Sequence, residues 1–143
     1  MARPGPLRNL IASTTLAVAN TTTTFAPNGP NDDLGTATGT GFWQPEYRGA
    51  RFWVNISAIS GTSATATFTV KKWNPRVGAI GSSIIASAAF ATTGLNVLDV
   101  YPGITTGANL SVSAAMGNYV IQVLVSNTTT PSVTFTVDVE YIP

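Results

Sequence analysis

The clearest pattern in the chain is Ser132 to Tyr141, SVTFTVDVEY. Apolar side chains fall at Val133, Phe135, Val137, Val139 and Tyr141, and polar ones at Ser132, Thr134, Thr136, Asp138 and Glu140. A strand sends successive side chains to opposite faces, so this spacing predicts a strand with one buried and one wet face. A helix would scatter the same apolar residues around its axis. We read the segment as the closing strand of an antiparallel β-sandwich.

The same alternation recurs upstream. In RFWVNISAIS, Phe52, Val54, Ile56 and Ala58 take the inward phase, and Arg51, Trp53, Asn55 and Ser57 the outward one. Ser60-Gly61-Thr62 is a turn signal. In SATATFTVKKW, Ala64, Ala66, Phe68 and Val70 point inward, and Thr65, Thr67, Thr69 and Lys71 outward. Two alternating runs around a short glycine turn predict a hairpin. Asn74-Pro75 and Gly78 to Gly81 form the next connection. Further strands are predicted at Ser83–Ala91, Leu95–Tyr101 and Tyr119–Ser126. Leu110 to Met116 fits either a short strand or a helical turn. Turn-spaced strands without an amphipathic helix predict a sandwich of jelly-roll or Greek-key type over residues 51–143.

Residues 1–50 read differently. Pro4 and Pro6 fix φ and remove donors, so residues 1–9 are expected to form an extended arm. Leu10 to Phe25 is rich in Thr, Ala and Val and suits one or two strands. Pro27 to Gly41 is dense in Gly, Pro, Asn and Asp, a long loop of the kind that is usually either functional or mobile. FWQPEY at Phe42–Tyr47 ends it.

Composition narrows the chemistry. The chain has 143 residues, no cysteine and no histidine, and only 9% of residues are charged. Typical domains carry about 25%, so Thr, Ser and Asn must supply the polar surface. A domain of this size buries about 68–70% of its unfolded surface and needs no disulfide. A net charge of +1 is too small to hold nucleic acid by counterion release, and Arg48, Arg51, Lys71, Lys72 and Arg76 form no phosphate-tracking run. No apolar run approaches the roughly 18 residues of a membrane span. Ser13, Thr14 and Thr15 interrupt the apolar stretch after Arg8, which argues against a cleaved signal peptide.

Catalytic and metal constellations are weak. The carboxylates are Asp32, Asp33, Glu46, Asp99, Asp138 and Glu140. Asp138 and Glu140 share one strand face, an ordinary solubilising arrangement, although glycosidases use paired acids. Asn31, Asp32 and Asp33 lack the oxygens and spacing of a calcium loop, so a turn with Asx bonds is the better reading. GTATGTG at Gly35–Gly41 lacks the lysine ending of a phosphate loop. The NxS/T sequons at Asn20, Asn55, Asn109 and Asn127 are expected by chance in a chain this rich in Asn and Thr. We expect no enzyme, no cofactor and no metal. The aromatics Phe42, Trp43, Tyr47, Phe52, Trp53 and Trp73 crowd together in sequence. They serve either as contacts to a partner or as side chains covered within the subunit or its assembly.

Three segments carry a resemblance: TSATATFTVKKWNP at Thr62–Pro75, IIASAAFATTGLNVLDVYPGITTGAN at Ile84–Asn109, and YVIQVLVSNTTTPSVTFTVDVEYIP at Tyr119–Pro143. The VYPG turn and the PSVTFTV strand are the most distinctive parts. From about Arg51 to Pro143 the chain resembles small β-sandwich virion proteins of tailed bacteriophages. Where that group commonly has an arginine, this chain reads GNYVIQ at Gly117–Gln122.

The resemblance implies a structural protein of the virion. The favoured kind is a capsid decoration (cement) protein at the capsid surface, binding the major capsid protein and copies of itself as a homo-oligomer. On this reading the arm and the Pro27–Tyr47 segment reach neighbouring subunits, with Arg3, Arg8, Trp43, Tyr47 and Arg48 as protein-interface residues. The alternatives are a tail- or fibre-associated protein, or a carbohydrate-binding module using Trp53 and Trp73 beside Asn55.

Overall fold

The computed structural model describes residues 7–25, 42–44, 48–74, 77–111, 117–126 and 130–142. They form ten strands: β1 (Arg8–Leu16), β2 (Thr21–Phe25), β3 (Phe42–Gln44), β4 (Gly49–Ser60), β5 (Thr65–Asn74), β6 (Ala79–Ala86), β7 (Gly94–Val100), β8 (Leu110–Ser111), β9 (Gly117–Ser126) and β10 (Ser132–Ile142). No helix occurs among the described residues.

Two sheets pack face to face as a β-sandwich. The first has the order β1-β10-β4-β7-β8, and the second β2-β9-β5-β6, with β3 also on β9. Setting aside the short β3 and β8, the remaining eight strands pair from the outside inwards: β1 with β10, β2 with β9, β4 with β7, and β5 with β6, all antiparallel. This nesting is the jelly roll, one long hairpin rolled into two sheets.

The topology corrects the expected hairpin at Gly61. β4 belongs to the first sheet and β5 to the second, so the Gly61 turn carries the chain across the sandwich. The inward residues in and just before β5 are as expected: Ala64, Ala66, Phe68 and Val70 are all buried. Alternation reports which face is wet, not which strand lies alongside, and that is where the hairpin inference failed.

In β4 the phase holds through Phe52, Val54 and Ile56, then slips. Phe135 pairs with Ile56 but Thr134 pairs with Ala58, so Ser57 is an extra residue, a bulge. Ala58, expected inside, is therefore exposed, and Ile59 packs against the core instead.

The strand expected at Ser83–Ala91 begins earlier, at Ala79, and ends at Ala86. Its register against β5 shifts twice, so the adjacent Ile84 and Ile85 are both buried. Beyond Ala86 the chain still follows β5. The Ser87 amide donates to Phe68 O at 2.8 Å. Ser87 Oγ accepts from Phe68 N at 2.9 Å and donates to Ala88 O at 2.6 Å. Phe90 then exchanges two bonds of 2.9 Å with Ala66.

Arg8 and Asn9, expected in an extended arm, open β1 and pair with Val139 and Asp138. The backbone is extended as expected, but hydrogen bonding to β10 makes these residues part of the sandwich. β10 matches its pattern throughout, with Val133, Phe135, Val137, Val139 and Tyr141 buried. Leu110–Ser111 is a strand, parallel to β7.

Aromatic rings tie the sheets together. Phe135 of the first sheet meets Phe25 and Phe68 of the second edge to face, with centroids 6.0 and 5.0 Å apart. Phe52 meets Tyr119 in the same manner at 5.6 Å. Below them the hydroxyls of Tyr119 and Tyr141 lie 2.6 Å apart across the core. Tyr141→Phe is expected to cost about 1–2 kcal/mol. The Tyr119→Phe/Tyr141→Phe pair should cost less than the sum of the singles, because both remove one shared bond. Urea unfolding of the three variants measures this.

One side of the sandwich is sealed by side chains instead of a strand pair. Ser111 Oγ donates to Ile84 O at 2.6 Å, and Asn109 Oδ1 accepts from Ala88 N at 2.7 Å. Asn109 adopts φ +60°, a conformation that asparagine tolerates better than most residues.

Candidate functional site

The strand register brings several chain segments to one end of the sandwich. Arg8 lies opposite Val139, Gly49 opposite Ile142, and Ala50 opposite Val100. The starts of β1 and β4 and the ends of β7 and β10 therefore meet there. On the second sheet β3 pairs with the start of β9, and the Tyr119–Tyr141 contact places that start at the same end.

A groove of about 260 Å³ opens at this end, lined by Arg51, Asp99, Tyr101, Ile104 and Ile142. Arg51 comes from the outward phase of β4 and Asp99 from its register partner on β7. Arg51 Nε donates to Asp99 Oδ1 at 2.8 Å. Glu140 is the register partner of Arg51 on the other side, so the cation stands between two carboxylates. The hydrogen bond to Asp99, the charge of Asp99 and, more weakly, Glu140 raise the Arg51 pKa against the opposing effect of burial. The guanidinium also lies 5.7 Å from the centroid of the Trp53 ring, within cation–π range. The Arg51 side chain is 41% exposed and that of Asp99 18%, so the pair adds at most about 1 kcal/mol to stability. Its larger effect is to hold a cation in one place.

Tyr101 follows β7 directly, in the VYPG turn. It is 38% exposed, with Ile104 and Ile142 beside it in the groove. The Ile104 amide donates to Tyr101 O at 3.3 Å, closing the turn. An exposed tyrosine flanked by isoleucines and a fixed arginine matches the composition of protein-binding hot spots.

The residues singled out from the sequence fall as follows. Arg8 lies at this end, half-buried in β1. Arg48 is exposed, and its amide donates to Ile142 O at 3.0 Å, which places it beside the groove. Trp43 is in β3, its backbone paired with Asn118. Arg3 and Tyr47 lie outside the described residues, as do the Asn31–Asp33 triplet and the Gly35–Gly41 segment. Sequence reasoning missed Arg51, Asp99, Tyr101, Ile104 and Ile142 as groove residues. The VYPG turn, distinctive in the sequence, is the one signal that could have found them. The Arg51–Asp99 pairing spans 48 positions and follows only from strand order.

Asp138 and Glu140 share the outward phase of β10 as expected, both half-buried. Asp138 Oδ1 accepts from Asn9 Nδ2 at 2.8 Å. Trp53 and Trp73, considered together as a sugar platform, are separated: one is on β4 of the first sheet, the other on β5 of the second. Both are half-buried, and the indole N–H of each is buried with no partner among the described residues. Among the described residues no three of His, Cys, Asp or Glu are grouped to hold a metal ion. No family model, curated protein or solved structure matches the chain.

Proposed function

We propose that the chain is a structural protein of a phage-type virion that binds the outer face of an assembled major capsid protein shell. It docks through the end bearing the Tyr101 groove. The observation that carries this reading is the gathering of Arg48, Arg51, Tyr101, Ile104 and Ile142 at one end of a rigid sandwich. The resemblance over Arg51–Pro143 supports the same reading, and jelly rolls recur in viral capsid and lectin domains. The fold alone does not choose between such roles; the tyrosine, isoleucines and arginines at this end are what favour docking to a protein partner.

The mechanism is mass action. A protein that binds the assembled lattice and not its dissociated subunits stabilises the lattice by RT ln(1 + [L]/Kd), about 2.7 kcal/mol at a hundredfold excess over Kd. Purified protein added to shells lacking it should raise their disruption temperature by several degrees. Tyr101→Ala should weaken binding about 30-fold, the roughly 2 kcal/mol of an interface hot spot. No gain in shell stability with wild-type protein rejects the reading. Copy number is a second check, since a shell role requires hundreds of copies per virion and a tail role only a few.

A further inference from the structure

The outer face of the second sheet carries another groove, of about 270 Å³. It shares no residue with the Tyr101 groove. Register lays out its surface in rows. Thr22, Leu124 and Thr67 align across β2, β9 and β5, and Thr24, Gln122 and Thr69 form the next row. Lys71 then faces Ser83 on β6.

The lining presents the hydroxyls of Thr22, Thr67, Thr69 and Ser83, the Gln122 amide and the Lys71 ammonium. Gln122 Nε2 donates to Thr24 Oγ1 at 3.1 Å, which fixes the direction of its amide before any ligand arrives. Leu124, 37% exposed, and Ala86 give the lining an apolar patch beside these polar groups.

The described carboxylates Asp99, Asp138 and Glu140 all stand on the first sheet. Lys71 is half-buried on the second and has no ion-pair partner among the described residues. A ligand for this groove therefore brings its own negative charge, several hydroxyls and one apolar face.

We propose that the groove binds a single acidic sugar residue, a pyranose ring carrying a carboxylate. Its carboxylate would pair with Lys71. Its hydroxyls would exchange hydrogen bonds with the threonines, Ser83 and the Gln122 amide, and its C–H face would lie on Leu124. The volume lies just under the roughly 300 Å³ at which ligand sites begin, which limits the occupant to one ring. An acidic unit of a surface polysaccharide has this chemistry.

Titration of the full chain with sodium glucuronate, glucose and inorganic phosphate, followed through backbone amide NMR shifts, tests the proposal. Glucuronate should move the amides of Thr67, Thr69, Lys71, Gln122 and Leu124 and saturate in the millimolar range. Glucose should bind at least tenfold more weakly. Lys71→Gln, an outward substitution that keeps the spectrum of a folded chain, should reduce glucuronate to the glucose level. The proposal is overturned if glucuronate leaves these amides unmoved or moves others instead. It also fails if phosphate saturates the groove as readily as glucuronate, which would make Lys71 a bare anion contact, or if Lys71→Gln binds glucuronate as well as wild type.

Discussion

Phe135→Ala is expected to cost about 3–5 kcal/mol, the range for deleting a buried aromatic ring. Phe135 is fully buried at the centre of β10, and its ring touches Phe25 and Phe68 of the opposite sheet, each edge to face. The substitution removes the ring, leaves a cavity between two hydrogen-bonded sheets, and takes an edge-to-face partner from both neighbours, leaving Phe68 its tilted contact with Phe90. Sheets cannot collapse into the void without breaking register, so relaxation will recover little. For a chain of this size the loss corresponds to a Tm drop of about 10–20 °C. Denaturant unfolding should show a lower midpoint with an unchanged slope. A cost under about 1 kcal/mol would mean that the sheets are not packed through this ring.

Gly49→Ala is expected to cost about 3 kcal/mol, near the upper end for overpacking. An added Cβ would fall on the Val100 carbonyl oxygen and would sit 2.9 Å from Tyr101 Cδ2 and 3.2 Å from Tyr101 Cα. Two of these three atoms are backbone, so the clash cannot be relieved by rotating a side chain. β4 must move away from β7 where Ala50 pairs with Val100. The displaced residue is Tyr101, so the groove should distort together with the fold. Gly107→Ala is the control, because its nearest added contact is an ordinary 3.6 Å from the Leu110 side chain. Thermal unfolding of both variants separates the two cases; equal stability would remove the close approach as the reason for glycine at position 49.

Much of this fold could be read from alternation, since a strand with one dry face writes its period directly into the sequence. Val133 to Tyr141 and Ala64 to Val70 were placed on the correct face residue by residue. Alternation is silent about partners, which is why β4 and β5 were joined as a hairpin although a jelly roll sends them to opposite sheets. It is also broken by bulges. Ser57 reverses the phase for Ala58 and Ile59, and the double shift in β6 puts Ile84 and Ile85 inside together, a pattern with no period. The strand character of Arg8 and Asn9 was hidden because their β-structure comes from pairing with β10, at the far end of the chain. The groove was the least legible part. Its residues come from β4, β7, the VYPG turn and β10, and none of them was marked as a contact by the sequence, although the VYPG turn was distinctive.

β10 is the tenth strand to be made, yet it lies between β1 and β4 in its sheet. Until it arrives, the earliest and the middle parts of that sheet have no common neighbour, and Phe25 and Phe68 lack the ring that bridges them. A chain emerging from the ribosome can thus assemble β5 against β6 early, but not the first sheet. Interruption of synthesis before Ser132 would release two open strand edges facing one empty slot. Any free copy of the SVTFTVDVEY segment could insert there, so exchange of this last strand between copies is the misassembly to which the architecture is most exposed.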